Sequence, residues 1–123
     1  MVWWIMAAGA LGSGTRYLVG LWALERFGTA FPYGTLIVNL AGCFALGAVV
    51  QTASALAWSP EWRGAVAIGL LGGFTTYSSF NQETLTLLSN GAAGTALLNM
   101  GMTLGGGLAA GWLGLVVARQ FVA

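Results

Sequence analysis

The chain has 123 residues, of which 58% are hydrophobic and only 6% charged, with a net charge of +1. A soluble domain carries roughly a quarter charged residues because its surface faces water, so most of this chain has lipid for a solvent. With no Lys, Asp or His, and only Arg16, Arg26, Arg63 and Arg119 as cations, there is no basic face for nucleic acid. The single cysteine, Cys43, excludes an internal disulfide or a thiolate metal cluster and is read as a small packing residue.

A membrane-crossing helix needs about 20 predominantly apolar residues, and four of them nearly fill the chain as a single transmembrane domain over residues 1–123. The N-terminus, Met1-Val2-Trp3-Trp4, lacks the basic region of a cleaved leader. Its apolar run is read as a retained first span over about residues 3–24. The second span is predicted over about residues 33–56, after a connection containing Pro32. Pro60 is expected to break the helical pattern in the next turn, Trp58-Ser59-Pro60-Glu61-Trp62-Arg63. The third span then covers about residues 62–88 and closes at Asn90-Gly91, and the fourth covers about residues 93–117. Trp3, Trp4, Trp22, Trp58 and Trp62 fall near predicted ends, where indoles favour the interface, whereas Trp112 lies deeper.

Four spans place both termini and the middle turn on one side. Arg63 and Arg119 lie there, and Arg26 lies on the other, which gives the positive-inside rule little to act on. Two readings stay open: a marginal but fixed orientation, or copies that insert both ways and pair antiparallel. In the fourth span, Gly101-x-x-x-Gly105 and Gly107-x-x-x-Gly111 permit close helix packing.

The third span holds Gly72-Gly73-Phe74-Thr75-Thr76-Tyr77-Ser78-Ser79-Phe80 near the bilayer midplane. Paired glycines followed by hydroxyl residues are poor helix material. In lipid, unwound backbone is tolerated only where protein buries it or it lines a cavity. Freed carbonyls there are hard oxygen ligands suited to an alkali cation; the alternative is a continuous helix with small residues at a seam. Tyr77 and Phe80 are three apart and share a face. Their positive ring edges could replace part of an anion's hydration, although core packing is the usual role of such a pair.

Three polar stripes repeat at helical spacing: Thr35, Asn39 and Cys43 on the second span; Thr76, Ser79 and Glu83 on the third; Asn99, Thr103, Gly107 and Gly111 on the fourth. One stripe would be interhelical glue, whereas three suggest a polar track. Arg16 and Glu83 are intramembrane charges, either functional or snorkelling to an interface. Arg16 lies about 20 Å into its span. Without His, Lys or Asp, no Ser or Cys has a conventional general base, so no enzyme activity is expected.

Gly12-Ser13-Gly14-Thr15-Arg16-Tyr17, Gly34-Thr35-Leu36-Ile37-Val38-Asn39-Leu40-Ala41-Gly42 and the Gly72–Phe80 segment followed by Glu83 together resemble the CrcB/Fluc fluoride channels. The resemblance implies an all-α membrane protein of four transmembrane helices with a break in the third, forming an antiparallel, dual-topology homodimer with two pores. It implies a multi-pass protein of a prokaryotic inner or plasma membrane that passively exports fluoride. It implies a structural Na+ on the dimer axis, held by carbonyls matching Gly72 and Thr75. Fluoride is expected against Tyr77, Phe80 and the Asn39 amide. A hydroxyl track matches Ser79 and Thr103, Arg16 serves a vestibule, and Glu83 belongs to the same pathway. The chain departs from the family pattern at Tyr77, where Phe is usual, and at Asn99, where Tyr is common. Two other functions are alternatives: a proton-coupled exporter like the small multidrug resistance proteins, which depend on a first-span Glu where this chain has Arg16, and a non-transporting assembly subunit.

Overall fold

A computed structural model describes residues 1–122. The described residues form helices and turns, with no strand. Helix α1 (Val2–Phe27) is followed by α2 (Tyr33–Ala55). A third rod runs through α3 (Pro60–Arg63), a π-helical stretch (Gly64–Leu70) and α4 (Leu71–Phe74). After an interruption come α5 (Tyr77–Ser89) and α6 (Ala93–Arg119). The 26 residues of α1 extend about 39 Å at the helical rise, more than the ~30 Å hydrocarbon core.

The helix ends follow local chemistry. Gly28 closes α1 with φ 77°, and its N–H donates to the Leu24 carbonyl at 2.9 Å. The helical pattern is interrupted between Ala55 and Pro60, and Pro60 itself occupies the first helical position of α3. A proline is tolerated there because that N–H has no helical partner in any case. Ser59 caps the same end, its Oγ accepting from the Trp62 N–H at 3.3 Å. In the π-helical stretch the Leu71 N–H reaches back five residues to the Val66 carbonyl, one residue further than an α-helical bond.

Helix α2 packs along α6, α1 packs against the rod of residues 60–74, and α5 lies on α6 with a smaller contact to α2. The α2–α6 seam is closed by backbone-to-backbone contact: a Cβ on Gly114 would collide with the Phe44 carbonyl, and one on Gly47 with the Gly111 carbonyl. Of the two small-residue patterns in the fourth helix, only Gly107-x-x-x-Gly111 lies on this seam, against Cys43. A Cβ on Gly101 or Gly105 would meet no atom of another helix within 4 Å among the described residues.

The core is thin, and Val38 and Asn99 are its largest fully buried side chains. The chain exposes 7504 Å², against roughly 6,200 Å² for a compact soluble chain of its 12.7 kDa. Helices α2 and α6 are long and apolar enough to cross a membrane, yet only 22% and 11% of their most apolar stretches are buried. Most of both stretches therefore faces outward rather than into the core. Trp112 belongs to the outward face of α6. Arg119 Nε donates to Gln51 Oε1 at 3.3 Å, and Met1 lies against Gly64. These contacts gather the N-terminus, the 56–59 turn and the end of α6 at one end of the bundle.

Candidate functional site

Between α4 and α5 the backbone is extended at Thr75 (φ −90°, ψ 158°) and Thr76 (φ −151°, ψ 113°). Interrupting a helix frees backbone groups that must find other partners when shielded from water. Thr75 sends both its N–H and its hydroxyl to the Leu71 carbonyl, each at 3.0 Å. The Thr76 N–H donates to Asn39 Oδ1 at 2.8 Å, while Asn39 Nδ2 donates to the Thr76 carbonyl at 3.0 Å. Arg16 Nε donates to the Gly73 carbonyl at 3.1 Å. Thr76 Oγ1 caps α5, accepting from the Ser79 N–H at 3.2 Å. Side chains from α1 and α2 thus hold the interruption from two sides.

Among the described residues, no hydrogen bond ends on the carbonyl oxygen of Gly72, Phe74 or Thr75. No three Cys, Asp or Glu side chains come together in these residues either. A cation held here would therefore rely on backbone oxygens. The unpartnered Gly72 and Thr75 carbonyls fit a hard ion such as Na+ in kind.

Two clefts flank the interruption. The first, of about 290 Å³, brings together Asn39, Cys43, Gly72, Tyr77, Phe80 and Thr103. Its rings meet edge to face, with centroids 5.7 Å apart and planes at 64°, and the Tyr77 side is open to the surroundings. A Cβ on Gly42 would collide with the Thr75 methyl, so this wall closes only around glycine. The second cleft, of about 370 Å³, is lined by Arg16, Thr35, Thr76 and Ser79 among others. Ser79 and Thr103, grouped into one track from the sequence, therefore open on different clefts of a single chain. The Asn39–Thr76 clasp supplies wall to both, Asn39 to the first and Thr76 to each.

Glu83 sits one turn deeper in α5. Its Oε1 accepts from the Thr35 hydroxyl at 2.7 Å, while its Oε2 is buried without a partner among the described residues. A further cleft of about 190 Å³ connects Thr35 and Glu83 to the α1–α2 connection at Gly28 and Pro32. The two stripes Thr35–Asn39 and Thr76–Ser79–Glu83 do face one another across α2 and α5.

The family model described as CrcB-like protein, Camphor Resistance (CrcB), matches residues 3–115. This chain belongs to the CrcB family. A protein named Fluoride-specific ion channel FluC from Acidobacterium capsulatum is 46% identical over 121 residues, covering 98% of this chain and 97% of that protein. A relative of the same name from Sorangium cellulosum is 46% identical over 121 residues, covering 98% and 95%. Another from Chloroflexus aurantiacus is 44% identical over 118 residues, covering 95% and 94%.

In this CrcB chain the fourth-helix stripe divides. Asn99 turns away from the clefts and is buried, donating through Nδ2 to Thr84 Oγ1 at 3.0 Å, and Thr84 in turn donates to the Phe80 carbonyl at 2.7 Å. The residue read from the sequence as part of a polar track is thus a strut between α5 and α6. A buried amide must find a partner, and the neighbouring threonine hydroxyl is the partner at hand. Thr84 itself carried no signal in the sequence beyond being one of many hydroxyls on α5.

Proposed function

We propose that two copies of this chain pair antiparallel in a prokaryotic inner or plasma membrane as a multi-pass, fluoride-selective channel with two pores. Each pore would take fluoride past the Tyr77 and Phe80 ring edges, the free Asn39 N–H, and the Ser79 and Thr103 hydroxyls, with Arg16 and Glu83 toward the ends of the route. Fluoride is small and strongly hydrated, so selectivity requires a narrow path whose donors replace water. Transport is passive and follows the fluoride gradient out of the cell, and no catalytic step is involved. The names of the relatives support the ion, and the edge-to-face Tyr77–Phe80 pair beside Asn39 and Thr103 carries the reading at residue level. When bound, a structural Na+ would supply fixed positive potential between the pores. The unpartnered carbonyls of Gly72 and Thr75, with their counterparts in the second copy, supply oxygens of the right kind.

Flux from liposomes tests this. Wild-type protein should release fluoride but not chloride, and Phe80→Ile should release fluoride at least tenfold more slowly. Unchanged flux in Phe80→Ile would count against this pathway. Proton-coupled cation uptake would instead indicate an exporter, and no flux an assembly subunit.

A further inference from the structure

We infer that Asn39, with the Thr76 hydroxyl, is the positioning device that keeps the Gly72 and Thr75 carbonyls out of the helix and available to a cation. The inference rests on the sodium reading above. In an uninterrupted α-helix the Thr76 N–H would bond to the Gly72 carbonyl, and the Ser79 N–H to the Thr75 carbonyl. Both donors are diverted here. Asn39 Oδ1 takes the first at 2.8 Å, and Thr76 Oγ1 takes the second at 3.2 Å. Each diversion consumes a donor and leaves its former acceptor without one. Arg16 acts in the opposite sense, since it donates to the Gly73 carbonyl and so consumes an acceptor. Of the three carbonyls left open among the described residues, those of Gly72 and Thr75 are the two whose helical donors are taken by these side-chain acceptors, whereas Phe74 is open without such a diversion.

Asn39 is doubly tied to Thr76, since its Nδ2 also donates to the Thr76 carbonyl. Reforming the helix at this point would break both bonds. One Nδ2 hydrogen remains for the cleft lined by Tyr77 and Phe80. A single amide thus joins the wall of the anion path to the carbonyls of the cation site.

The test uses full-length protein, purified without sodium and titrated with NaCl against N-methylglucamine chloride. The sodium concentration for half-maximal protection against heat-induced dimer loss is read beside fluoride efflux. Asn39→Ala releases the Thr76 N–H to compete for Gly72, so its sodium midpoint should rise about three- to tenfold. Thr76→Val, which keeps side-chain shape and removes only the capping oxygen, should shift in the same direction. Phe80→Ile changes the same cleft but leaves both diverting hydrogen bonds in place, so it should keep the wild-type midpoint while losing flux. A wild-type midpoint in both Asn39→Ala and Thr76→Val, with flux reduced, overturns the inference and leaves the sodium reading intact. If Asn39→Ala does not assemble, Thr76→Val decides alone by the same criterion. Wild-type protein that is indifferent to sodium overturns the sodium reading and this inference together, an outcome distinguished by the flat response of every variant.

Discussion

Gly73→Ala probes how α1 supports the interruption. A Cβ at Gly73 would lie 2.6 Å from the Gly9 carbonyl oxygen and 3.2 Å from the Gly9 Cα. Ordinary contacts begin near 3.4 Å, so the two backbones must part by roughly 0.8 Å. Arg16 Nε stands 3.1 Å from the Gly73 carbonyl, and the same displacement would take that hydrogen bond beyond its working range. Overpacking of this kind costs about 1–3 kcal/mol, and losing a hydrogen bond from a charged donor about 1.5–3 kcal/mol. Partial relaxation of the long Arg16 side chain brings the combined expectation to about 3 kcal/mol. Thermal unfolding of the purified protein in detergent, paired with fluoride efflux, measures both consequences. Gly101→Ala is the comparison, because no atom within 4 Å obstructs its Cβ, and helix propensity alone should favour it by about 0.5–1 kcal/mol. A Gly73→Ala protein with wild-type stability and flux would refute the claimed contact between α1 and the interruption.

Tyr77→Phe removes a hydroxyl that makes no hydrogen bond among the described residues and keeps the ring edge, so efflux should equal or exceed wild type; a tenfold loss would assign the hydroxyl a role. Asn99→Leu removes the donor to Thr84 while Thr84 keeps its own acceptor at Phe80, so stability should fall by only about 1 kcal/mol, with selectivity unchanged. Ser59→Ala removes an exposed N-cap and should lower thermal stability by the equivalent of about 0.5–1 kcal/mol, leaving efflux intact. Differential scanning of each variant beside an efflux trace checks all three.

The four rods were legible because length and apolar composition leave few alternatives. The segment from Gly72 to Phe80 stood out because glycines and hydroxyl residues disfavour helix locally. What holds that segment was not legible, since Asn39 is 37 residues away from Thr76, and only the fold brings them together. The spacing of Asn99 and Thr103 placed both on one stripe, but a four-residue step turns about 40° around a helix. That offset accompanies the difference between facing Thr84 and lining a cleft. The small residues of α6 likewise announced close packing without saying which glycines meet α2. The π-helical stretch leaves no periodic signature, because its residues are apolar whichever hydrogen-bond register they take.

The interruption also bears on the antiparallel pairing proposed above. Gly72 is exposed, and Tyr77 is 77% exposed, both at the level where the third rod is broken. In lipid, each unsatisfied backbone carbonyl costs several kcal/mol, so a lone copy would turn a costly edge toward hydrocarbon. A second copy related by an antiparallel axis would bring its own interruption against this one and cover the same edge. Such pairing requires insertion in both directions, which a strong arginine bias would prevent. With Arg63 and Arg119 at one end and Arg26 at the other, the charge difference across this chain is small enough to allow it. On that proposal the sparse charges and the broken helix would be two conditions of one assembly. Adding two lysines beside Arg63 should fix orientation and abolish efflux unless an oppositely oriented copy is supplied. Full efflux from a uniformly oriented population would defeat the antiparallel arrangement.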